Sequence, residues 1–279
     1  MNPDQERRFR LTVHYDGTYF YGWQLQARGR TVQGEMEAAL LRLTGARRPV
    51  VAAGRTDSGV HATGQVVAVS LPTRWGAEEL HRAMNAALPG DIWIESVSPT
   101  DPDFHPRYLA QARSYRYRLG LSSQAFSPFH KPWCWPLIRE VEVDLLHQGA
   151  ALLPGEHSFK AFAKVGQEAR GDHCLIKEAK WFPWNDLGLS FEITANRFLH
   201  HMVRYLTGTM VDIARGRRPL GDLMELLTSP TTSLTTSPPA PAEGLFLTQV
   251  HYPEPDSELN LGFPPNPLRK RYEDLSGHR

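Results

Sequence analysis

The order of hydrophobic patterns along the first hundred residues constrains the fold most. Residues 8–15 place apolar side chains at every second position, which indicates a half-buried strand. Two helical patterns and three further strand patterns follow, in the order helix, strand, strand, helix, strand. Together these patterns have the order of a split βαβ, ferredoxin-like (RRM-like) unit, so we expect an α+β fold. The helical patterns cover residues 31–45 and 76–88, and the strand patterns cover 49–52, 65–71 and 91–98.

The second part of the chain repeats this alternation of strands and helices. We therefore expect two ferredoxin-like halves, 1–105 and 106–253, whose mainly antiparallel sheets join, followed by a polar, Pro-rich tail over 254–279. Residues 229–241 consist almost wholly of Ser, Thr, Pro and Ala, which predicts a flexible loop. The strands are expected at 111–121, 176–184, 187–195 and 244–252, and the helices at 144–153, 198–214 and 220–227.

Composition bounds the class of protein without identifying a function. Of the 279 residues, 41% are hydrophobic and 22% are charged, which is ordinary for a soluble globular chain. No apolar run reaches the 18 or more residues of a membrane span, so we expect a cytoplasmic protein. Cys134 and Cys174 form neither a disulfide framework nor a zinc spacing, and both are expected to be reduced.

A glycine-rich stretch, residues 52–64, joins two of the predicted strands. Its three glycines allow left-handed backbone angles and close approach of a ligand, and it places Arg55 two positions before Asp57. A guanidinium nearby favours the ionised carboxylate, and an ionised Asp on a rigid loop is a candidate nucleophile. Thr-Asp-Ser-Gly is also typical of a turn in which Asp accepts local backbone hydrogen bonds. The residues alone leave both interpretations open.

Arginines alternate with aromatic residues between residues 105 and 120. The net charge of +1 does not indicate a nucleic-acid binder, but this stretch holds four arginines, three tyrosines and no acid. Such a pattern suits phosphate contacts combined with base stacking, and it is equally compatible with an exposed strand whose arginines are merely solvated. A second basic cluster contains Arg215, Arg217 and Arg218.

The string Gly-Arg-Thr-Asp-Ser-Gly-Val-His-Ala at 54–62 resembles the active-site loop of the tRNA pseudouridine synthase A family. Further blocks in family order cover the chain from about residue 8 to 252. The resemblance implies two ferredoxin-like halves with an active cleft between them, working as a homodimer. It also implies conversion of uridine to pseudouridine at positions 38, 39 and 40 of the tRNA anticodon stem-loop, without cofactor or metal. The blocks are Tyr21–Gln24, Thr31–Glu35, Asp103–Arg107, Arg113–Tyr117, Phe198–Arg204 and Glu243–Leu247.

The resemblance also assigns roles to individual residues. Asp57 is expected to be the nucleophile, and Arg55 to fill the space left by the flipped base and to orient Asp57. Tyr115 is expected to stack on the flipped uracil, Arg204 to pair with Asp57, and Leu245 to exclude water. One departure concerns residues 171–175, where the family usually has an arginine and this chain reads Gly-Asp-His-Cys-Leu. Phosphate contacts are expected from Arg107, Arg113, Arg217 and Arg218.

Two other functions compete with this interpretation. A metal hydrolase would use His61, His105, His200 and His201, but adjacent histidines on a helix point about 100° apart and do not readily face one ion. A non-catalytic RNA-binding protein of RRM-like fold would use its tyrosines to bind single strands. The intact Arg-Thr-Asp-Ser-Gly sequence argues against a purely binding role.

Overall fold

The computed structural model describes residues 5–164, 171–229 and 233–253. These residues form two compact units, the first comprising 5–111 with 247–253, and the second lying within 112–246. The predicted tail over 254–279 lies outside the described residues, and so does the stretch 165–170. The predicted division at residue 105 stays a prediction.

The described part of the chain contains ten strands, mostly antiparallel, and five α-helices, which confirms an α+β fold. Among these helices, none has both the length and the apolar character needed to cross a membrane. The strands are β1 Glu6–Tyr15, β2 Val51–Ala52, β3 His61–Pro72, β4 Ile92–Pro99, β5 Ala112–Gly120, β6 Trp135–Pro136, β7 Gly155–Ser158, β8 His173–Trp184, β9 Gly188–Ala195 and β10 Leu245–His251. The helices are α1 Val32–Thr44, α2 Ala77–Ala87, α3 Val143–Ala151, α4 Met202–Ala214 and α5 Gly221–Thr228.

In the first unit, β1 lies between β3 and β4 and is antiparallel to both. The short strand β2 also pairs antiparallel with β3. The alternation predicted for residues 8–15 is confirmed, because Phe9, Leu11 and Val13 are fully buried. Burial of each such side chain contributes about 1.5–3 kcal/mol to folding. The buried strand β1 therefore fixes the position of the segment that follows Tyr15, residues 16–23.

Helix α1 has the ends that the sequence predicts. The Thr31 hydroxyl accepts a hydrogen bond from the Gly34 amide at 3.2 Å, which satisfies one of the amide groups without a partner in the first turn. Gly45 ends the helix with φ of 72°, a left-handed angle that glycine adopts without strain. The cap residues at both ends are therefore confirmed.

In the second unit, four strands are ordered β5, β9, β8 and β7 through antiparallel pairs. The short strand β6 is parallel to β5. Tyr115 lies opposite Ile193, and Trp181 lies opposite Phe191, so aromatic and β-branched residues meet across strands. Strand β5 therefore holds Tyr115 in a fixed register.

Two helix starts differ from the sequence prediction. Helix α4 begins at Met202 and not at 198, because His201 takes a left-handed conformation with φ of 66° and interrupts the helical path. Helix α3 begins at Val143, so Asp144, which the sequence predicts as the N-cap, lies in the first turn instead. An acidic residue at that position still interacts favourably with the helix dipole.

The Ser/Thr/Pro-rich segment is irregular, as predicted, but its described part, 233–241, packs closely against the second unit. Ser237 and Ala240 are 6% and 1% exposed. The Ser237 amide donates to the Thr209 hydroxyl at 3.3 Å, and the Ala240 amide donates to the Arg204 carbonyl at 2.9 Å. Specific hydrogen bonds therefore hold this part although its sequence has no helical or strand period, and its predicted flexibility stays a prediction.

Both cysteines are buried free thiols, as expected from the sequence. Burial raises the pKa of Cys134 to about 11 and that of Cys174 to about 12. Since the thiolate is the reactive form, neither sulfur is set up as a nucleophile or metal ligand.

Candidate active site

Asp57 lies half-buried on the connection between β2 and β3 of the first unit, and Arg55 on the same connection is exposed. The Val60 amide donates to the Asp57 carbonyl at 3.1 Å, and Gly59 takes a left-handed φ of 79°. The stretch therefore forms the tight turn that its sequence predicts. A turn and a catalytic role are compatible here, because the turn bonds involve the backbone of Asp57.

A second segment, residues 16–23, holds this turn through backbone contacts. The Phe20 carbonyl accepts from the Gly59 amide at 3.3 Å and from the Ser58 hydroxyl at 3.2 Å. Gly22 has φ of 86°, and a Cβ placed on it would lie 2.6 Å from the Thr56 carbonyl oxygen. Only glycine permits this approach. Sequence reasoning missed the bracing role of this segment, although its two glycines within an aromatic stretch were a signal for close backbone contact.

Buried polar side chains support the other end of the turn. The Tyr15 hydroxyl lies 2.8 Å from the Thr56 hydroxyl, and both groups are buried. Gln65 is fully buried and donates from Nε2 to the Gly54 carbonyl at 2.9 Å. Because these bonds lie in a water-poor environment, their loss would leave unsatisfied buried groups. They fix the backbone on the side of the turn that precedes Asp57.

His61 lies just after the turn and is 1% exposed. Its Nδ1 lies 3.0 Å from the Gly17 amide nitrogen and 3.1 Å from Asp16 Oδ1, and the ring tautomer decides whether Nδ1 accepts from the amide or donates to the carboxylate. Partial burial would raise the pKa of Asp16, but hydrogen bonds from His61 and Thr18 outweigh it and hold that pKa well below its usual value. His61 therefore connects the turn to the segment that braces it.

In the second unit, Tyr115 is half-buried on β5 and packs edge-to-face against Phe198, with ring centroids 5.0 Å apart. Arg113 donates to the Asn196 carbonyl at 3.4 Å. Tyr117, two residues further, is fully buried and donates to the Pro241 carbonyl at 2.8 Å. Tyr115 and Tyr117 are two residues apart on β5 and so lie on the same face of the strand. Tyr115 is half-buried on this face, and Tyr117 reaches the core.

Arg204 and Leu245 also belong to the second unit. Arg204 donates from Nε to the Ala240 carbonyl at 2.7 Å, and its own carbonyl accepts from the Ala240 amide, so the residue is tied to the 233–241 segment on both sides. Leu245 opens β10 and is 5% exposed. The expected pairing of Arg204 with Asp57 stays a prediction.

Internal partners engage two arginines of the alternating stretch. Arg116 contacts Glu192 at 2.8 Å. The Arg118 guanidinium lies over the Phe246 and Trp184 rings at 4.5 and 5.2 Å, and burial lowers the pKa of Arg118. These contacts stabilise the second unit and give Arg116 and Arg118 partners within the protein.

The remaining basic candidates differ in exposure. The Arg217 side chain is 55% exposed and contacts Asp212 at 3.0 Å. The Arg218 side chain is only 13% exposed, and it contacts Asp222 at 2.9 Å while donating to the Thr235 carbonyl at 3.1 Å. Arg107 is half-buried, and its amide donates to His105 Nδ1 at 3.2 Å. Of these three arginines, Arg217 presents the largest exposed fraction.

The geometric argument against paired histidine ligands is wrong for this chain. His200 and His201 both precede α4, and their ring centroids lie 4.2 Å apart, so helical geometry does not separate them. His105 has another role, because its Nδ1 accepts from the Arg107 and Tyr108 amides and its ring stacks on Tyr108 at 4.0 Å. The structure therefore gives His105 a local structural function.

The environment of His105 predicts a pH-dependent stability. Burial, aided by repulsion from Arg8 and Arg107, lowers the pKa of His105 to about 4, against about 6.5 in the unfolded chain. Between these values the unfolded chain binds more protons, so the free energy of unfolding falls as the pH falls. We expect a loss of about 1 kcal/mol between pH 7 and pH 5 from this residue, discounted for its partial exposure.

Chemical denaturation at several pH values tests this expectation. His105→Asn should flatten the dependence between pH 7 and pH 5, whereas the same change at exposed His147 should leave it as in the wild type. An unchanged slope in His105→Asn would show that another group dominates the acid sensitivity.

A family model described as tRNA pseudouridine synthase matches residues 11–109 and 150–253 of the chain. The match covers more than half of the sequence and includes the Asp57 turn and the segment that braces it. The chain therefore belongs to the tRNA pseudouridine synthase family, a family of isomerases.

The chain is also similar to several proteins named tRNA pseudouridine synthase A. The protein of Moorella thermoacetica is 38% identical over 245 residues, which cover 87% of this chain and 98% of the relative. That of Geobacillus kaustophilus is 37% identical over 249 residues, covering 88% and 95%. That of Chlorobium luteolum is 39% identical over 250 residues, covering 89% and 96%.

Proposed function

We propose that the protein isomerises uridine to pseudouridine at positions 38, 39 and 40 in the anticodon stem-loop of tRNA. Family membership supports the reaction, and the names of the relatives support tRNA as its substrate. The observation that carries the proposal is a half-buried Asp57 on a turn whose backbone is held from both sides. Such a turn presents a carboxylate in a fixed position.

The reaction requires little besides a nucleophile and a shielded base. The N1–C1′ bond breaks, the uracil turns, C5 bonds to C1′, N1 gains a proton and the C5 hydrogen leaves as a proton. Asp57 acts as the nucleophile, at ribose C1′ or at uracil C6. The overall change is redox-neutral and transfers no phosphate, so we propose a mechanism without cofactor or metal.

The target base must leave its stack before it can react, which takes a few kcal/mol. We assign Arg55 to the vacated space, since its exposed side chain lies two residues from Asp57. Arg55 also orients Asp57, Tyr115 stacks on the flipped uracil, Arg204 pairs with Asp57, and Leu245 excludes water. These roles follow from the resemblance of the sequence blocks, and the half-buried position of Tyr115 is compatible with stacking.

The arrangement of the assembly is also a proposal. We infer two ferredoxin-like halves with an active cleft between them, a homodimer as the working unit, and action in the cytoplasm. The antiparallel pairing of β1 with β3 and β4, and of β2 with β3, supports the ferredoxin-like description of the first half. Phosphate contacts come from Arg107, Arg113, Arg217 and Arg218.

One assay separates the proposed isomerase from its two rivals. The purified protein is incubated with tRNA that carries tritium at C5 of uridine, with and without a chelator, and released tritium is counted. Release that resists the chelator supports the proposal. Release that requires a metal contradicts the metal-free mechanism, and binding without release indicates a non-catalytic RNA-binding protein.

Tyr115 offers a test of what its ring and hydroxyl each contribute. Tyr115→Phe keeps stacking and loses only the hydroxyl, whereas Tyr115→Leu loses both. We expect Tyr115→Leu to lower the single-turnover rate by about 10- to 100-fold, since base–aromatic stacking contributes about 1–3 kcal/mol. A wild-type rate in Tyr115→Phe would restrict Tyr115 to stacking, and a wild-type rate in Tyr115→Leu would remove it from the site.

A further inference from the structure

The loop formed by residues 21–30 begins within the segment that braces the Asp57 turn, and the side chain of Tyr21 has no role in the account above. Its first residue, Tyr21, is 61% exposed although it is a large aromatic residue. The next residue, Gly22, is the one pressed against the turn, because a Cβ placed on it would lie 3.1 Å from the Asp57 carbonyl carbon. The exposed Tyr21 is therefore the sequence neighbour of a glycine that contacts the backbone of Asp57.

The exposed ring of Tyr21 is backed by a glycine. A Cβ placed on Gly29 would lie 2.6, 2.8 and 3.1 Å from Cδ2, Cγ and Cε2 of Tyr21. Because these distances differ so little, Gly29 lies over one face of the ring and not against its edge. Gly29 has φ of 92°, which other residues rarely adopt. One face of the ring therefore rests on the protein backbone, and the exposed area belongs largely to the rest of the ring.

The base of this loop is firmly anchored. The Tyr21 amide donates to the Arg30 carbonyl at 2.8 Å. Arg30 contacts both carboxylate oxygens of Asp91 and one of Glu35, and it also lies 4.3 Å from the Phe20 ring. The hydrogen bonds that Arg30 donates to Asp91 and Glu35 raise its pKa further above the usual value. Arg30 is therefore occupied as an anchor that holds Tyr21 in place.

We propose that Tyr21 is a stacking platform for a nucleobase of the RNA substrate next to the target uridine. This inference rests on the proposed function, because it takes the substrate from there. A rigid ring with one backed face and one open face suits a flat base, and stacking accepts any base. Exposed Arg28 in the same loop adds a positive charge near the adjoining phosphate. Tyr21 thus contributes to binding of RNA and not to the chemical step.

Affinity measurements test the platform directly. All variants are made in an Asp57→Asn background, and the dissociation constant for fluorescent tRNA is measured at several salt concentrations. Tyr21→Ala should weaken binding about 5- to 100-fold with an unchanged salt slope, because stacking releases no counterions. Tyr21→Phe should restore the affinity. Gly29→Ala should weaken binding by moving the ring, and it should add nothing to Tyr21→Ala.

A matched control distinguishes specific stacking on Tyr21 from nonspecific binding of RNA to any exposed aromatic ring. Phe129 in the second unit is 78% exposed, so Phe129→Ala removes a comparable exposed ring. Wild-type affinity in Tyr21→Ala, or an equal loss in Phe129→Ala, would overturn the proposal. Failure of the proposed function is seen separately, as absence of tritium release by the protein with Asp57 intact, and the affinity comparison does not depend on that release.

Discussion

Asp57→Asn should abolish pseudouridine formation while leaving the fold and tRNA affinity nearly intact. The substitution keeps the size of the side chain and removes the charge that a nucleophile needs, so we expect a loss of at least about 1,000-fold in single-turnover rate. The turn should persist, because its hydrogen bonds use the Asp57 carbonyl and the Thr56 and Phe20 backbone. Tritium release, thermal unfolding and tRNA binding measure the three properties separately.

A matched control for charge loss is Asp186→Asn, which changes an exposed acid in the turn between β8 and β9. It should keep wild-type turnover, unfolding temperature and affinity. Residual turnover above about a tenth of wild type in Asp57→Asn would contradict the nucleophile assignment. A large fall in its unfolding temperature would instead show that the carboxylate mainly stabilises the turn.

The sequence predicted those features that depend on neighbouring residues. Burial of alternate residues in β1, the Thr31 cap and the Gly45 end of α1 each follow from a few adjacent side chains, and the structure confirms them. The start of α4 was not predicted, because it depends on an unusual backbone conformation at His201. The left-handed conformation of His201 is uncommon for a residue other than glycine, so the helical pattern gave no sign of the interruption.

Features that depend on distant partners were not predictable from local pattern. Arg116 is ion-paired with Glu192, which is 76 positions away, and nothing near Arg116 in the sequence indicates this acid. Arg218, a predicted phosphate ligand, also donates to the carbonyl of Thr235, 17 positions away, and nothing near Arg218 in the sequence indicates that contact. The bracing of the Asp57 turn by residues 16–23 likewise uses backbone groups, which carry almost no sequence signature.

Arg55→Ala should lower the single-turnover rate by about 100-fold and change tRNA affinity little. Base flipping takes a few kcal/mol, and a side chain that fills the space left by the base offsets part of this energy. Arg55→Ala removes that side chain, so flipping becomes less favourable. Arg55 is exposed and two residues from Asp57, so its side chain can reach the region of the reacting nucleotide. The measurement is the rate at saturating enzyme together with the dissociation constant at several salt concentrations.

Arg217→Ala provides the matched comparison, because it also removes a largely exposed arginine. A phosphate contact contributes about 0.7–0.9 to the slope of log affinity against log salt, so Arg217→Ala should flatten that slope and leave the chemical rate unchanged. Arg55→Ala should show the opposite pattern. If it flattens the salt slope while the rate stays intact, then Arg55 is a phosphate ligand and base flipping depends on another residue.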